Sequence, residues 1–212
     1  EIGMVQMLPK DILENGVDAD GDGTINLQSS ASDALFSAAK MLKSLGWQAN
    51  EPWLQEVTLT KDIDWLDTGT DKIKTIKEWK SLGITGKYTD LPDDSNNASL
   101  IIPQSRKGPK FLAYSNFNVF FEWNKSFIYV LTAAHFANRL EGSPAFSPGN
   151  PDKGLNKNQM KFLQTKLNTL GYEVGQIDGI LGAKTRRSIQ ELQRTLKKPA
   201  DAWPTIELLE LF

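Results

Sequence analysis

The 212-residue sequence contains no cysteine and only one histidine, His135. The lack of cysteine excludes disulfide bridges, thiolate metal sites and cysteine nucleophiles. One histidine provides neither a zinc site nor a Ser-His-Asp triad, so we expect His135, which lies in an apolar segment, to be a packed core residue. No apolar run approaches the ~18 residues that a transmembrane helix needs.

The sequence also lacks a strong charge of either sign, with 24 Lys and Arg against 26 Asp and Glu. This balance argues against nucleic acid as a main partner, because phosphate binding leaves a basic footprint. The charge is uneven, however. Residues 155–212 carry nine basic and six acidic side chains, against fifteen and twenty in residues 1–154. The basic excess suits a C-terminal module that meets an anionic surface.

Proline and glycine are concentrated in the stretch EGSPAFSPGNPDKG, residues 141–154. It has no apolar periodicity and separates two well-patterned segments, which is typical of a linker. We therefore divide the chain into a first domain at 1–140, a linker at 141–154 and a second domain at 155–212.

The first domain shows both helical and strand patterns. Helices are expected from Pro9 to about Glu14, over 34–45, over 70–84 and over 127–140. Short strands are expected at 56–60, 98–103 and 110–114. This mixture predicts an α+β fold, mostly helical, with a small antiparallel sheet.

The second domain shows three apolar stripes at helical spacing, beginning near Met160, Thr185 and Pro204. Asn156 and Gln159 stand three residues apart, as in a capping box. The sequence therefore predicts a small three-helix domain.

The stretch VDADGDGTINL, residues 17–27, has the pattern of a calcium-binding loop. Asp18, Asp20 and Asp22 occupy positions 1, 3 and 5 of an EF-hand-like loop, Gly23 stands at the sharp turn, and Thr24 offers its carbonyl oxygen. Position 12 is Ser29 rather than the bidentate glutamate of a calcium sensor. A solvated turn is the simpler alternative, but the pattern favours Ca²⁺ in a structural role, with a sensor as a further, less favoured alternative.

Three stretches of the first domain resemble B-type lytic murein transglycosylases. They are EIGMVQMLP (1–9), the acidic loop with DALFSAAKMLKSLGW (33–47), and NFNVFFEWNKSFIYVL (116–131). The resemblance implies a lysozyme-like fold in the bacterial periplasm or cell envelope. It also implies cleavage of the MurNAc–GlcNAc β-1,4 bond of peptidoglycan, with formation of 1,6-anhydro-MurNAc.

The resemblance also assigns residues. It implies substrate contacts at Gln6, Trp123, Asn124 and Tyr129, and metal ligands at Asp18, Asp20, Asp22, Thr24 and Asp33. Trp123 replaces the family's tyrosine and keeps an aromatic face, whereas Met41 replaces another tyrosine and does not.

The family's catalytic glutamate lies upstream of the segment that contains Gln6. We therefore expect the catalytic residue to lie upstream of Glu1 and residues 1–212 alone to be inactive, so whether this chain is by itself an enzyme stays open. Glu122 lies near the sugar-contacting stretch, but a solvated glutamate is the simpler interpretation.

Residues 163–193 of the second domain resemble the type 1 peptidoglycan-binding module. The resemblance implies a groove for glycan or stem peptide, with Asp178 and Arg186 as candidate contacts. The partners expected are peptidoglycan strands and the N-terminal segment of the same protein, and a membrane only if a lipid anchor precedes Glu1. A non-catalytic peptidoglycan-binding protein is the alternative.

Overall fold

The computed structural model describes all residues from 1 to 212 and contains eight helices, five strands and a 3-10 turn at Trp65–Asp67. The helices are α1 (Pro9–Asn15), α2 (Ala31–Ser44), α3 (Ile76–Ser81), α4 (Ser115–Trp123), α5 (Phe127–Leu140), α6 (Lys157–Thr169), α7 (Ala183–Thr195) and α8 (Ile206–Leu209). The strands are β1 (Leu54–Leu59), β2 (Ile73–Thr75), β3 (Ile84–Gly86), β4 (Asn97–Ile101) and β5 (Phe111–Tyr114). The predicted α+β class is confirmed.

The five strands form one antiparallel sheet in the order β2-β4-β5-β1-β3. All four residues of β5 are buried, and they alternate between two apolar clusters. Leu112 and Tyr114 pack towards α3, whereas Phe111 and Ala113 pack towards α4 and α5. Helices cover both faces of the sheet, and this explains why FLAY is apolar throughout rather than alternating.

The sequence pattern predicted one helix over 70–84, and this prediction is wrong. Ile73 belongs to β2, where it pairs with Ser99 of β4, and its side chain is exposed. The helix begins only at Ile76 because Thr75 and Glu78 form a capping box, in which each side chain accepts a hydrogen bond from the other's backbone N–H. Trp79 is fully buried and donates from Nε1 to the carbonyl oxygen of Ala98 at 2.8 Å.

The last three helices pack around a separate apolar cluster centred on Leu163, Leu167 and Ile189. The predicted capping box of Asn156 and Gln159 is present at the start of α6. The third helix is shorter than its apolar pattern suggested, since α8 spans only four residues.

Residues 141–154 contain no helix or strand, but several of them lie against the first domain. Phe146 meets the rings of Phe111 and His135 edge-on, and the N–H of Ser147 donates to the Glu56 carboxylate at 3.0 Å. His135 is therefore partly buried, and desolvation lowers its pKa below the usual value. None of the eight helices combines the length and apolarity needed to cross a bilayer.

Candidate functional site

The three segments that carry the family resemblance meet around one small apolar cluster. Met7 is buried at its centre, and Met41 of α2 and Trp123 of α4 pack against it. Gln6 has a φ of 53°, and its Nε2 donates to the carbonyl oxygen of Gly3 at 2.7 Å. The left-handed backbone at Gln6 is uncommon for a residue other than glycine, and it places Met7 in the core while the Gln6 side chain stays exposed.

The turn between α4 and α5 carries the other predicted glycan contacts. The Asn124 Oδ1 accepts the N–H of Ser126 at 2.9 Å, and Ser126 caps α5. Tyr129, in the first turn of α5, is 58% exposed. Asn124 follows Trp123 directly, so this turn adjoins the cluster that is centred on Met7 and contacts Met41. The structure thus brings the four predicted substrate contacts onto adjoining elements, and substrate binding by each stays a prediction.

The acidic loop places three carboxylates side by side. Oxygen atoms of Asp18, Asp20 and Asp22 lie within 4.8 Å of one another, and all three residues are exposed. The Asp18 oxygens also accept the N–H groups of Gly21 and Gly23, at 2.8 and 2.9 Å, and this wraps the loop around its first residue. Converging carboxylate oxygens on a tightly turned loop are the donor set that Ca²⁺ prefers, so these residues fit that ion.

Asp33 lies apart from the three clustered carboxylates and is fully buried at the start of α2. Its Oδ1 accepts the N–H of Ala19 at 2.8 Å, and its Oδ2 accepts the N–H of Asn26 at 2.9 Å. These backbone hydrogen bonds hold the pKa of Asp33 below its usual value. The arrangement makes Asp33 a support that fixes both ends of the loop, and its predicted role as a ligand stays a prediction.

A general acid for glycoside cleavage needs a raised pKa. The carboxyl groups whose pKa is clearly displaced are all shifted downwards, and they are Asp33, Glu78, Glu173, Asp178 and Glu207. Glu122 is exposed and pairs with Lys125 at 2.8 Å. This exposed position agrees with the interpretation of Glu122 from the sequence as a solvated glutamate.

In the three-helix domain, the hydrogen-bond partners of Asp178 belong to the domain itself. Its Oδ1 accepts the N–H of Ile180 at 2.8 Å, which lowers its pKa. The fully buried Gln164 of α6 holds the same turn: its Nε2 donates to the carbonyl oxygens of Gln176 and Ile180, and its Oε1 accepts the N–H of Gly179 at 2.9 Å. Asp178 thus has a structural function in the turn, and its predicted wall contact stays a prediction.

Arg186, the other predicted wall contact, lies between the two domains. Its guanidinium stands 5.1 Å from the Phe127 ring and 5.8 Å from the Trp203 ring, and it donates to the carbonyl oxygen of Pro103 at 2.9 Å. Burial lowers its pKa to about 10, so it remains charged at neutral pH. Its Nε is buried and has no hydrogen-bond partner.

The sequence reading did not identify the other residues that join the domains. Gln190 of α7 donates to the carbonyl oxygens of Trp65 and Thr68, at 2.9 and 3.3 Å. The Asp201 carboxylate accepts the N–H of Arg106 at 3.0 Å. The only sequence signal for these interdomain contacts was a set of polar residues on the face of α7 that points away from the core of its own domain. Such residues usually indicate a solvated helix face.

Two family models match separate parts of the chain. Residues 1–138 match the family model of the transglycosylase SLT domain, and residues 156–211 match that of a peptidoglycan-binding domain. The sequence matches no protein of the curated set.

Among solved structures, SltB3 from Pseudomonas aeruginosa, in complex with NAG-anhNAM-pentapeptide, is similar over 99% of this chain, with a TM-score of 0.87 and 34% identity. A second SltB3 structure contains NAG-NAM-pentapeptide. SltB1 from the same organism aligns over 67% of this chain with a TM-score of 0.53 and 26% identity. Slt35 from Escherichia coli, in complex with calcium, has a TM-score of 0.54 and 22% identity, which supports the fold alone.

The chain spans 57% of the length of the SltB3 structure. The transglycosylase family model covers most of the chain, and SltB3 aligns over nearly all of it. The assignment of the chain to the family therefore rests on more than short motifs. The family implies a location at the cell envelope. The chain belongs to the SLT-domain lytic transglycosylases and carries a peptidoglycan-binding domain at its C-terminal end.

Proposed function

We propose that residues 1–212 form part of a lytic transglycosylase that cleaves the MurNAc–GlcNAc β-1,4 bond of peptidoglycan. In the proposed reaction, an acid donates a proton to the leaving O4 as the bond from C1 to O4 breaks. The C6 hydroxyl of MurNAc then forms a bond to C1 and gives its proton to the conjugate base, and the product is 1,6-anhydro-MurNAc. No water is consumed.

The convergence of Met7, the neighbour of Gln6, with Met41 and Trp123 on one cluster is the observation that carries this proposal. These side chains come from three distant segments. Gln6, next to Met7 in the sequence, and Trp123 supply the two kinds of group that a sugar ring uses, an amide for hydrogen bonds and a flat aromatic surface. We propose that Asn124 and Tyr129 extend this surface.

We further propose that the acid is supplied by polypeptide outside residues 1–212. The exposure of Glu122 and its ion pair with Lys125 support this assignment. The structural Ca²⁺ of the acidic loop would be bound by Asp18, Asp20, Asp22 and the Thr24 carbonyl. When bound, this ion would neutralise the clustered carboxylates and would take no part in the bond cleavage.

Digestion of purified sacculi tests the proposal. Residues 1–212 alone should bind sacculi without releasing soluble muropeptides, whereas a longer form that includes the family's upstream glutamate segment should release anhydro-muropeptides, identified by mass spectrometry. A form of the longer protein in which that glutamate is changed to Gln is the control and should release none.

Anhydro-muropeptides from residues 1–212 alone would show that the donor lies within this chain, and Glu122→Gln would then be the first variant to examine. Sacculus binding without release by the longer protein would favour the non-catalytic alternative.

A further inference from the structure

The turn between α4 and α5, residues 124–126, carries the predicted glycan contact Asn124 and makes only local hydrogen bonds. The N–H of Asn124 donates back into α4, its Oδ1 accepts the N–H of Ser126, and Ser126 caps α5. The exposed Lys125 pairs with Glu122 of α4. No hydrogen bond ties this turn to the sheet or to a more distant segment, so its position depends on the packing of the residues that flank it.

Two aromatic rings flank the α4–α5 turn. Phe121 of α4 stacks on Phe127, the first residue of α5, with ring centroids 6.3 Å apart and an interplanar angle of 23°. Phe121 also meets the ring of Phe117 edge-on at 5.3 Å, and Phe117 is fully buried in the cluster shared by the two helices. The ring of Phe127 therefore helps to fix where α5 begins, and Tyr129 stands in the same first turn.

A side chain of the second domain contacts the Phe127 ring. The Arg186 guanidinium lies 5.1 Å from the centroid of this ring and 5.8 Å from that of Trp203, so it touches one aromatic residue of each domain. Its Nη2 donates to the carbonyl oxygen of Pro103 in the first domain at 2.9 Å. Two rings and one carbonyl group thus hold the guanidinium, and its buried Nε has no partner.

Further bonds restrain α7 on the first domain. Gln190, one turn beyond Arg186, donates to two carbonyl groups of that domain. The Asp201 carboxylate divides its bonds between the domains. Its Oδ1 accepts a hydrogen bond from Gln193 of its own domain at 2.9 Å, and its Oδ2 accepts the N–H of Arg106 across the interface at 3.0 Å. These bonds keep the guanidinium against the aromatic ring of α5.

We propose that Arg186 is a positioning residue for glycan binding, an inference that rests on the proposed function. It acts through the Phe127 ring and holds Asn124 and Tyr129 in the arrangement that meets the sugar. In this role Arg186 itself contacts no ligand. The C-terminal domain thereby supports the glycan site of the first domain in addition to binding the wall.

Titration of residues 1–212 with a peptide-free (GlcNAc–MurNAc)₂ tetrasaccharide, together with amide hydrogen exchange, tests this role. Arg186→Met keeps an unbranched apolar chain but removes the guanidinium. It should weaken tetrasaccharide binding by about five-fold and speed exchange over residues 124–129. Arg187→Met, the same change at the next and exposed position, removes a cation that does not contact Phe127. This matched control should change neither quantity.

A double-mutant cycle tests the route through the ring. Phe127→Leu should weaken binding by itself, and Arg186→Met should then add less than about two-fold, because the guanidinium has lost its partner. Asp201→Asn approaches the same contact from another point and serves if Arg186→Met does not fold. Its Oδ1 keeps the bond from Gln193, whereas its NH₂ group faces the N–H of Arg106. Asp201→Asn should therefore loosen the interface, speed exchange at the turn and weaken binding, by less than Arg186→Met.

The outcomes separate the two proposals. Weaker binding by Arg186→Met with unchanged exchange over 124–129 would indicate direct contact with the ligand and would overturn the positioning role. Unchanged binding by both Arg186→Met and Asp201→Asn would overturn it as well. If the unmodified chain bound no tetrasaccharide, the glycan site of the proposed function would itself be contradicted.

Discussion

The molecule contains two Asp-Gly turns that look alike in sequence but are held together in different ways. In the turn at 176–182, the buried amide of Gln164 forms hydrogen bonds with the backbone, and a single carboxylate, that of Asp178, accepts the N–H of Ile180. In the loop at 18–24, three exposed carboxylates face one another, and no basic side chain pairs with them. The first turn is held by a buried side chain of a neighbouring helix, whereas the second concentrates three negative charges that a bound cation would neutralise.

The internally closed turn should depend on Gln164 more than on any other side chain. Gln164→Leu keeps the volume but leaves the Gly179 N–H and two carbonyl groups without partners in a buried site, so we expect a loss of about 3 kcal/mol in unfolding free energy. Urea denaturation, with amide hydrogen exchange to follow α6 and α7, measures this loss. Gln176→Leu, the same change at an exposed position of the same turn, is the control. Equal effects of the two changes would show that the amide network contributes little.

The acidic loop should respond to Ca²⁺, whereas the 176–182 turn should not. An ion that binds only the folded protein stabilises it by about 2.7 kcal/mol at a hundred-fold excess over its Kd, and the melting temperature should rise accordingly. Asp20→Asn combined with Asp22→Asn should abolish this rise. The metal-free double variant should be no less stable than the parent, because two repelling charges are removed.

Calorimetry in chelator and in Ca²⁺ measures both effects, and the far-UV circular dichroism spectrum should stay unchanged. A large spectral change on addition of Ca²⁺ would favour the sensor alternative over a structural ion. An unchanged melting temperature would contradict the metal assignment.

The contrast between the two turns also explains how much the sequence could reveal. The spacing of Asp18, Asp20 and Asp22 predicted their convergence, because the geometry of a ligand loop depends on residues that are close together in the sequence. The strand pattern located β1, β4 and β5 for the same reason. Ile73 was assigned to a helix because its spacing from Ile76 fits one, and only the capping of Thr75 and the pairing with β4 place it in a strand.

Contacts between distant segments were outside the reach of pattern analysis. Gln164, Gln190 and Arg186 are polar residues on amphipathic helices, where a solvated face is the usual interpretation. Their partners lie 12 to 125 residues away along the chain. The family resemblance supplied the positions of Gln6, Trp123 and Asn124, but the packing of both Met41 and Trp123 against one cluster became visible only in the folded chain.

A matched pair of substitutions compares one carboxylate that supports each turn: Asp33 for the acidic loop and Asp178 for the turn at 176–182. Asp33 accepts an N–H on each of its two oxygens, and an asparagine would present its NH₂ to one of them, so Asp33→Asn should cost about 2 kcal/mol in chelator. Asp178 uses only Oδ1 for its backbone bond, which the Oδ1 of asparagine can replace, so Asp178→Asn should change stability by less than about 0.5 kcal/mol.

The effect of pH tests the account of Asp33. Because the pKa of Asp33 lies below its usual value of 3.8, its carboxylate stabilises the folded protein above that pH. The contribution is lost as the pH falls through the folded-state pKa, where a protonated Asp33 donates and accepts much as asparagine does. The difference between the parent and Asp33→Asn should therefore shrink towards acid pH in urea denaturation series. A difference that stays constant would show that packing, rather than the charged hydrogen bonds, makes Asp33 important to the loop.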